Sequence, residues 1–155
     1  MNEISIGFGA IATGGKNLGI GTLAHVEGYN SIAANNFAHA EGNTTMALAS
    51  CAHAEGKETE AKGYASHTEG RDTHTTGSYS HAEGYITEAN GGYSHAEGHE
   101  TKTENYCAHA EGRTTIAAGD ASHAEGRETY AGGKNAHAEG KSTAAHGENS
   151  HAEGD

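Results

Sequence analysis

Small, polar and charged side chains follow one another along this chain with a period that never slips. The tetrapeptide His-Ala-Glu-Gly recurs with its histidines at 25, 39, 53, 67, 81, 95, 109, 123, 137 and 151, every step 14 residues long. Only Val26 and Thr68 vary the tetrapeptide. With each of these histidines as position 1, position 3 is always Glu and position 4 always Gly. Position 7 is Thr in eight of nine full repeats and Ser31 in the other. Position 9 is Ala or Thr, position 14 is Ala or Ser, and position 11 is usually Gly. Positions 5, 6, 8, 10, 12 and 13 vary freely. The first residues keep the frame in weaker form: Ala10 and Ala24 fall at position 14, Ala12 at position 2, Gly14 at position 4, Gly7 and Gly21 at position 11. Residues 1–24 therefore read as degenerate N-terminal coils and 25–155 as the regular solenoid, in one continuous domain.

Fourteen residues are too few for a helical-hairpin repeat, which takes ~33–47. They suit two short strands and two tight turns. The strands are predicted at about positions 14–3 and 7–10, with turns at the position-4 glycine and near position 11. Strand side chains alternate faces, so positions 14, 2, 7 and 9 point into a thin coil that admits only Ala, Ser and Thr. Position 8 accepts Ile32, Met46, Glu60, His74, Lys102 and Tyr130, and must face outward. The predicted fold is all-β: a parallel β-solenoid (β-roll) with 14-residue coils, about eleven of them, since 11 × 14 + 1 = 155. At ~4.8 Å per coil the rod is roughly 50 Å long. Met1 and Asp155 share position 5, and this phase match predicts rods that stack end to end into filaments.

Composition sharpens this picture. Apolar residues are 34 %, with no Trp or Pro and 24 Gly, against roughly 45–50 % apolar in ordinary domains. A core of large side chains is excluded. Low hydrophobicity and high charge would also fit disorder, but a period held to the residue is what stacked coils require. The net charge of −12 argues against nucleic acid and anionic membrane surfaces, which need clustered Lys and Arg. No stretch approaches the ~18–20 apolar residues of a membrane span, so membrane insertion is not expected. MNEISIGFGA has no basic or apolar leader region, so no secretory signal is visible. Cys51 and Cys107 both fall at position 13, four coils apart, too far to pair within one chain, and read as small buried thiols.

The chemistry-bearing columns are His at position 1 and Glu at position 3, which share the outward face of one strand ~7 Å apart. An outward face that does not vary must meet something that does not vary, and the economical partner is another copy of the chain. The expected interchain ladder is His25, Glu27, His39, Glu41, His53, Glu55, His67, Glu69, His81, Glu83, His95, Glu97, His109, Glu111, His123, Glu125, His137, Glu139, His151 and Glu153. No catalytic residue, cofactor or metal site is expected. Ten equal His–Glu pairs mark none as special, and an ion on a symmetry axis at every coil would stack charge every ~4.8 Å. The chain thus reads as a non-enzymatic structural rod. A binding module that recognises a host glycan or surface protein through the variable columns is the alternative. The aromatic residues Tyr29, Phe37, Tyr64, Tyr79, Tyr85, Tyr93, Tyr106 and Tyr130 are spread over several columns, which favours simple surface packing. The Thr column at position 7 raises a further reading as an ice-binding face. The ladder also sets two alternatives for pH. Neutral imidazoles would make mild acid loosen the assembly; His⁺–Glu⁻ pairs would tolerate acid to about 4.3.

The segment ISIGFGAIATGGKNLGIG (4–21) resembles the head repeats of YadA-type trimeric autotransporter adhesins. The SHAEG-x-x-T-x-A-x-G run is similar to HAEG-repeat segments of phage tail fibres and appendage proteins. The resemblance covers essentially the whole chain. It implies a left-handed β-roll, a homotrimer, the role of fibre shaft or adhesin head, and a place on a virion appendage or the extracellular cell surface.

Overall fold

The computed structural model describes residues 3–154. Met1 and Asp155, on which the phase match rests, lie outside the described residues. The chain is a parallel β-solenoid, all-β, with two sheets of eleven strands each. Each coil carries one longer strand at positions 1–5, such as His39–Asn43, and a two-residue strand at positions 8–9, such as Met46–Ala47. One sheet runs without a break from Ile11–Gly15 to His151–Glu153, the other from Ile4–Ser5 to Ala144–Ala145. Neighbouring strands are parallel and pair residue i with i+14: His67 with His81, Gly70 with Gly84, Thr75 with Ala89. The coil count and length are those the period predicts.

The interior is the small-residue set expected. Ala24, Ala40, Ala47, Ala82, Ala89 and Ala138 are buried at positions 14, 2 and 9, and Val26 is the largest apolar side chain wholly inside. Thr45, Thr59, Thr73, Thr87, Thr101, Thr115 and Thr129 fill position 7 and are buried too. The Thr column therefore presents no row of hydroxyls to water, which removes the geometric basis of the ice-binding reading. Position-14 serines clamp the turn: the Ser66, Ser80, Ser94 and Ser122 hydroxyls donate to the carbonyls of Gly63, Gly77, Gly91 and Gly119 at 2.7–2.8 Å.

The turns differ from expectation. The position-4 glycine lies inside the longer strand, and the left-handed turns fall at positions 6 and 13, where almost any residue occurs. Asn30, Glu58, Ile86 and Glu128 at position 6, and Phe37, Cys51, Tyr79 and Asn135 at position 13, have φ of 54–59°. The reason lies in the hydrogen bonds. A left-handed residue turns its N–H along the rod axis toward the preceding coil. The N–H of Ile86 donates to the Arg71 carbonyl at 3.0 Å, and that of Tyr79 to the Tyr64 carbonyl at 2.8 Å. The turns thus stay in the coil-to-coil ladder, and an unmet backbone donor would cost more than the local strain. Position 4 is Gly for two reasons. Its φ is +104° at Gly70 and +113° at Gly84, and a Cβ there would collide with the carbonyl oxygen of the glycine one coil on. Cys51 and Cys107 are free and exposed, not buried, because position 13 is the outer corner of that turn.

Candidate functional site: a histidine–glutamate ladder and an aromatic ridge

In-register pairing carries every position-1 histidine onto the next. From His25 to His151 neighbouring imidazole centroids stand 4.6–5.0 Å apart. The rings are nearly parallel at first, 7–11° from His25 to His81. They tilt from there on, by 36° at His81–His95 and 48° at His123–His137. Glu27 to Glu153 stack beside them through the same register.

Within most coils the two columns meet. Nε2 of His53, His67, His81, His95, His123 and His137 lies 3.3–3.7 Å from Oε2 of Glu55, Glu69, Glu83, Glu97, Glu125 and Glu139. His25–Glu27 and His109–Glu111 are looser at 3.8 and 3.9 Å. His39 and Glu41 take the same places one coil on from His25. His151 reaches back to Glu139 at 4.0 Å, not to its own Glu153. The imidazoles are partly exposed, the His53 side chain by 34 %, yet their Nε2 atoms are not. Those of His39, His53, His67, His81, His95, His109, His123 and His137 are buried without a hydrogen-bond partner among the described residues. Burial, and then the charge of neighbouring imidazoles, holds His39, His53, His67, His109 and His123 below the ordinary histidine value, with adjacent glutamates opposing. These five imidazoles are therefore neutral at pH 7. Beside the N-terminal end of the ladder, Thr13, Gly14, Glu27, Gly28, Glu41 and Gly42 line a shallow groove.

A second feature escaped the column-by-column reading. Tyr64 and Tyr106 occupy position 12, Tyr79 and Tyr93 position 13, yet the four rings touch in succession at 5.4, 4.9 and 5.2 Å. They form a ridge across four consecutive coils, each ring about half exposed, and Phe37, Leu23 and Phe8 extend the apolar edge toward the N-terminus. The signal was in the spacing: steps of 15, 14 and 13 residues alternate between two columns that share one turn. Tyr29 and Tyr85 sit apart at position 5, beneath Lys16 and Arg71, each cation 5.5 Å from the ring. Tyr130 packs against His146 at 5.3 Å.

No protein-family model matches the chain, and no curated protein matches it either. The class of protein rests on the fold, a parallel β-solenoid of stacked 14-residue coils.

Proposed function

We propose that this chain is a non-enzymatic structural rod: a homotrimeric β-solenoid serving as a fibre shaft or adhesin head on a virion appendage or cell surface. The observation that carries this reading is the His–Glu ladder. It is the one outward face whose residues do not vary from coil to coil between residues 25 and 153, and it holds a row of buried Nε2 atoms without hydrogen-bond partners among the described residues. Buried polar atoms are normally satisfied, and a second copy of the chain, with the same rise per coil, matches the ladder rung for rung. The shallow groove at its N-terminal end, floored by Gly14, Gly28 and Gly42, leaves room for another backbone. A thin Ala/Ser/Thr interior supplies little apolar burial for one chain, so association adds the stability that the core lacks. The similarity to YadA-type heads and HAEG-repeat fibres adds the trimer and the location.

The test is solution mass by light scattering or native mass spectrometry. A trimer is expected at micromolar concentration, and Glu83→Lys with Glu97→Lys should lower the mass. A well-folded monomer at all concentrations would overturn the reading.

The aromatic ridge favours a second reading, a binding module. Exposed aromatic runs of this size mark recognition surfaces. A glycan or surface-protein ligand should then be lost in Tyr79→Ala with Tyr93→Ala while the rod keeps its mass. A glycan-array screen with no hits would count against the glycan form of this reading.

A further inference from the structure

The geometry points to a second property of the ladder: we propose that it binds divalent transition-metal ions such as zinc, each held by two imidazoles from adjacent coils and the carboxylate of the first. Three such sets draw their ligand atoms within 4.8 Å of one another: His53–Glu55–His67, His67–Glu69–His81 and His123–Glu125–His137.

The donor chemistry fits. Two imidazoles and a carboxylate are a donor set zinc accepts, and the imidazole nitrogens favour zinc, copper or nickel over calcium and magnesium. Bonds of ~2.0–2.1 Å set at tetrahedral angles place ligand atoms about 3.3 Å apart. His53 Nε2 and Glu55 Oε2 are already 3.4 Å apart, His67 and Glu69 3.6 Å, His123 and Glu125 3.7 Å. All five histidines in these sets have a buried Nε2 with no hydrogen-bond partner among the described residues. With its proton on Nδ1, a neutral imidazole turns the Nε2 lone pair toward the carboxylate, and a cation between the two satisfies both. The remaining adjustment is in the second ring, which must swing toward its neighbour. His123 and His137 are already inclined by 48°, whereas His53 and His67 are inclined by 11°. The 123–137 set should bind first.

Sharing limits the number of ions. The first two sets both need His67, so they exclude each other, and the three sets hold two ions. This answers the charge-stacking objection, because the ions lie several coils apart. All ligands of an ion come from one chain, so the site does not depend on the trimer. Glu139, His151 and Glu153 also cluster, with one imidazole at an exposed end, and should bind more weakly.

The experiment is equilibrium dialysis of the chelator-stripped full chain against zinc with elemental analysis, and cobalt(II) absorption to report tetrahedral nitrogen–oxygen ligation. Two tightly held ions per chain are expected. His53→Ala should still hold two, since His67–Glu69–His81 remains. His67→Ala should hold one, because both overlapping sets are lost. His67→Ala with His123→Ala should hold none. If that double variant loses its β-sheet signature, Glu125→Gln replaces it and should drop the count from two to one in a folded chain. No bound zinc, a count near the number of rungs, or equal counts for His53→Ala and His67→Ala would each overturn the proposal. Mass measured on the same samples keeps the outcomes separate, since metal binding should leave it unchanged.

Discussion

At the scale of single residues, two positions show opposite solutions to one backbone demand. Position 4 combines positive φ with the next coil's carbonyl where a Cβ would be, so only Gly serves. Position 6 needs positive φ but holds side chains as large as Ile86 and Glu128, so the N–H bond to the previous coil carries residues that would otherwise avoid it. Ile86, β-branched with φ 56°, is a strained choice, as are Thr44 and Thr114, since such residues are genuine outliers there. Ile86→Asn should raise stability by about 1 kcal/mol, measured by thermal or denaturant unfolding. Gly84→Ala should lower it by more than about 1 kcal/mol in the same assay, and a neutral result would contradict the close approach of coils. These positions show how much was legible. The glycine column was visible as an unvarying letter, whereas the left-handed turns left no trace, because their requirement is met by a backbone hydrogen bond that any residue can make.

At the scale of elements, the ladder is a one-dimensional array of coupled titrating groups. Each imidazole faces the rings above and below and the glutamates of its own and adjacent coils. Five histidines have folded values below the unfolded one, burial being the first cause. The unfolded chain therefore binds protons more readily. The contribution of these five to stability is complete above pH ~6.5 and is lost as pH falls through their lowered values. In chelator-containing buffer the melting temperature should drop on going from pH 7.5 to 5, and replacing His53, His67 and His123 with Gln should flatten that dependence. A melting temperature constant down to about pH 4.5 would mean charged His⁺–Glu⁻ pairs instead. The sequence placed His and Glu on one face. It did not place Nε2 against Oε2 within a coil, because that contact depends on rotamers set by the ring stacking of neighbouring coils.

At the scale of the whole molecule, each strand pairs only with those one coil away, so stability is a sum over coils and their junctions. Removing residues 81–94, one full period, should leave a shorter rod with an unchanged far-ultraviolet circular dichroism spectrum per residue. Removing Ala89 alone should break the sheet at that coil, since it throws every following column out of register. Proteolysis and circular dichroism distinguish the two. The ridge of Tyr64, Tyr79, Tyr93 and Tyr106 belongs to this scale as well, as it exists only where four coils lie side by side.

The sequence alone determined the period, the two-strand coil, the small-residue interior and the alignment of His and Glu in columns. Each follows from local alternation repeated without error, and stacking in register multiplies one coil into the whole. The tertiary structure decided which corners turn left-handed, that the cysteines face outward, that two tyrosine columns merge, and which rungs bring two imidazoles and a carboxylate together. These depend on contacts between coils, where axial hydrogen bonding and side-chain rotamers, not the spacing of letters, set the distances.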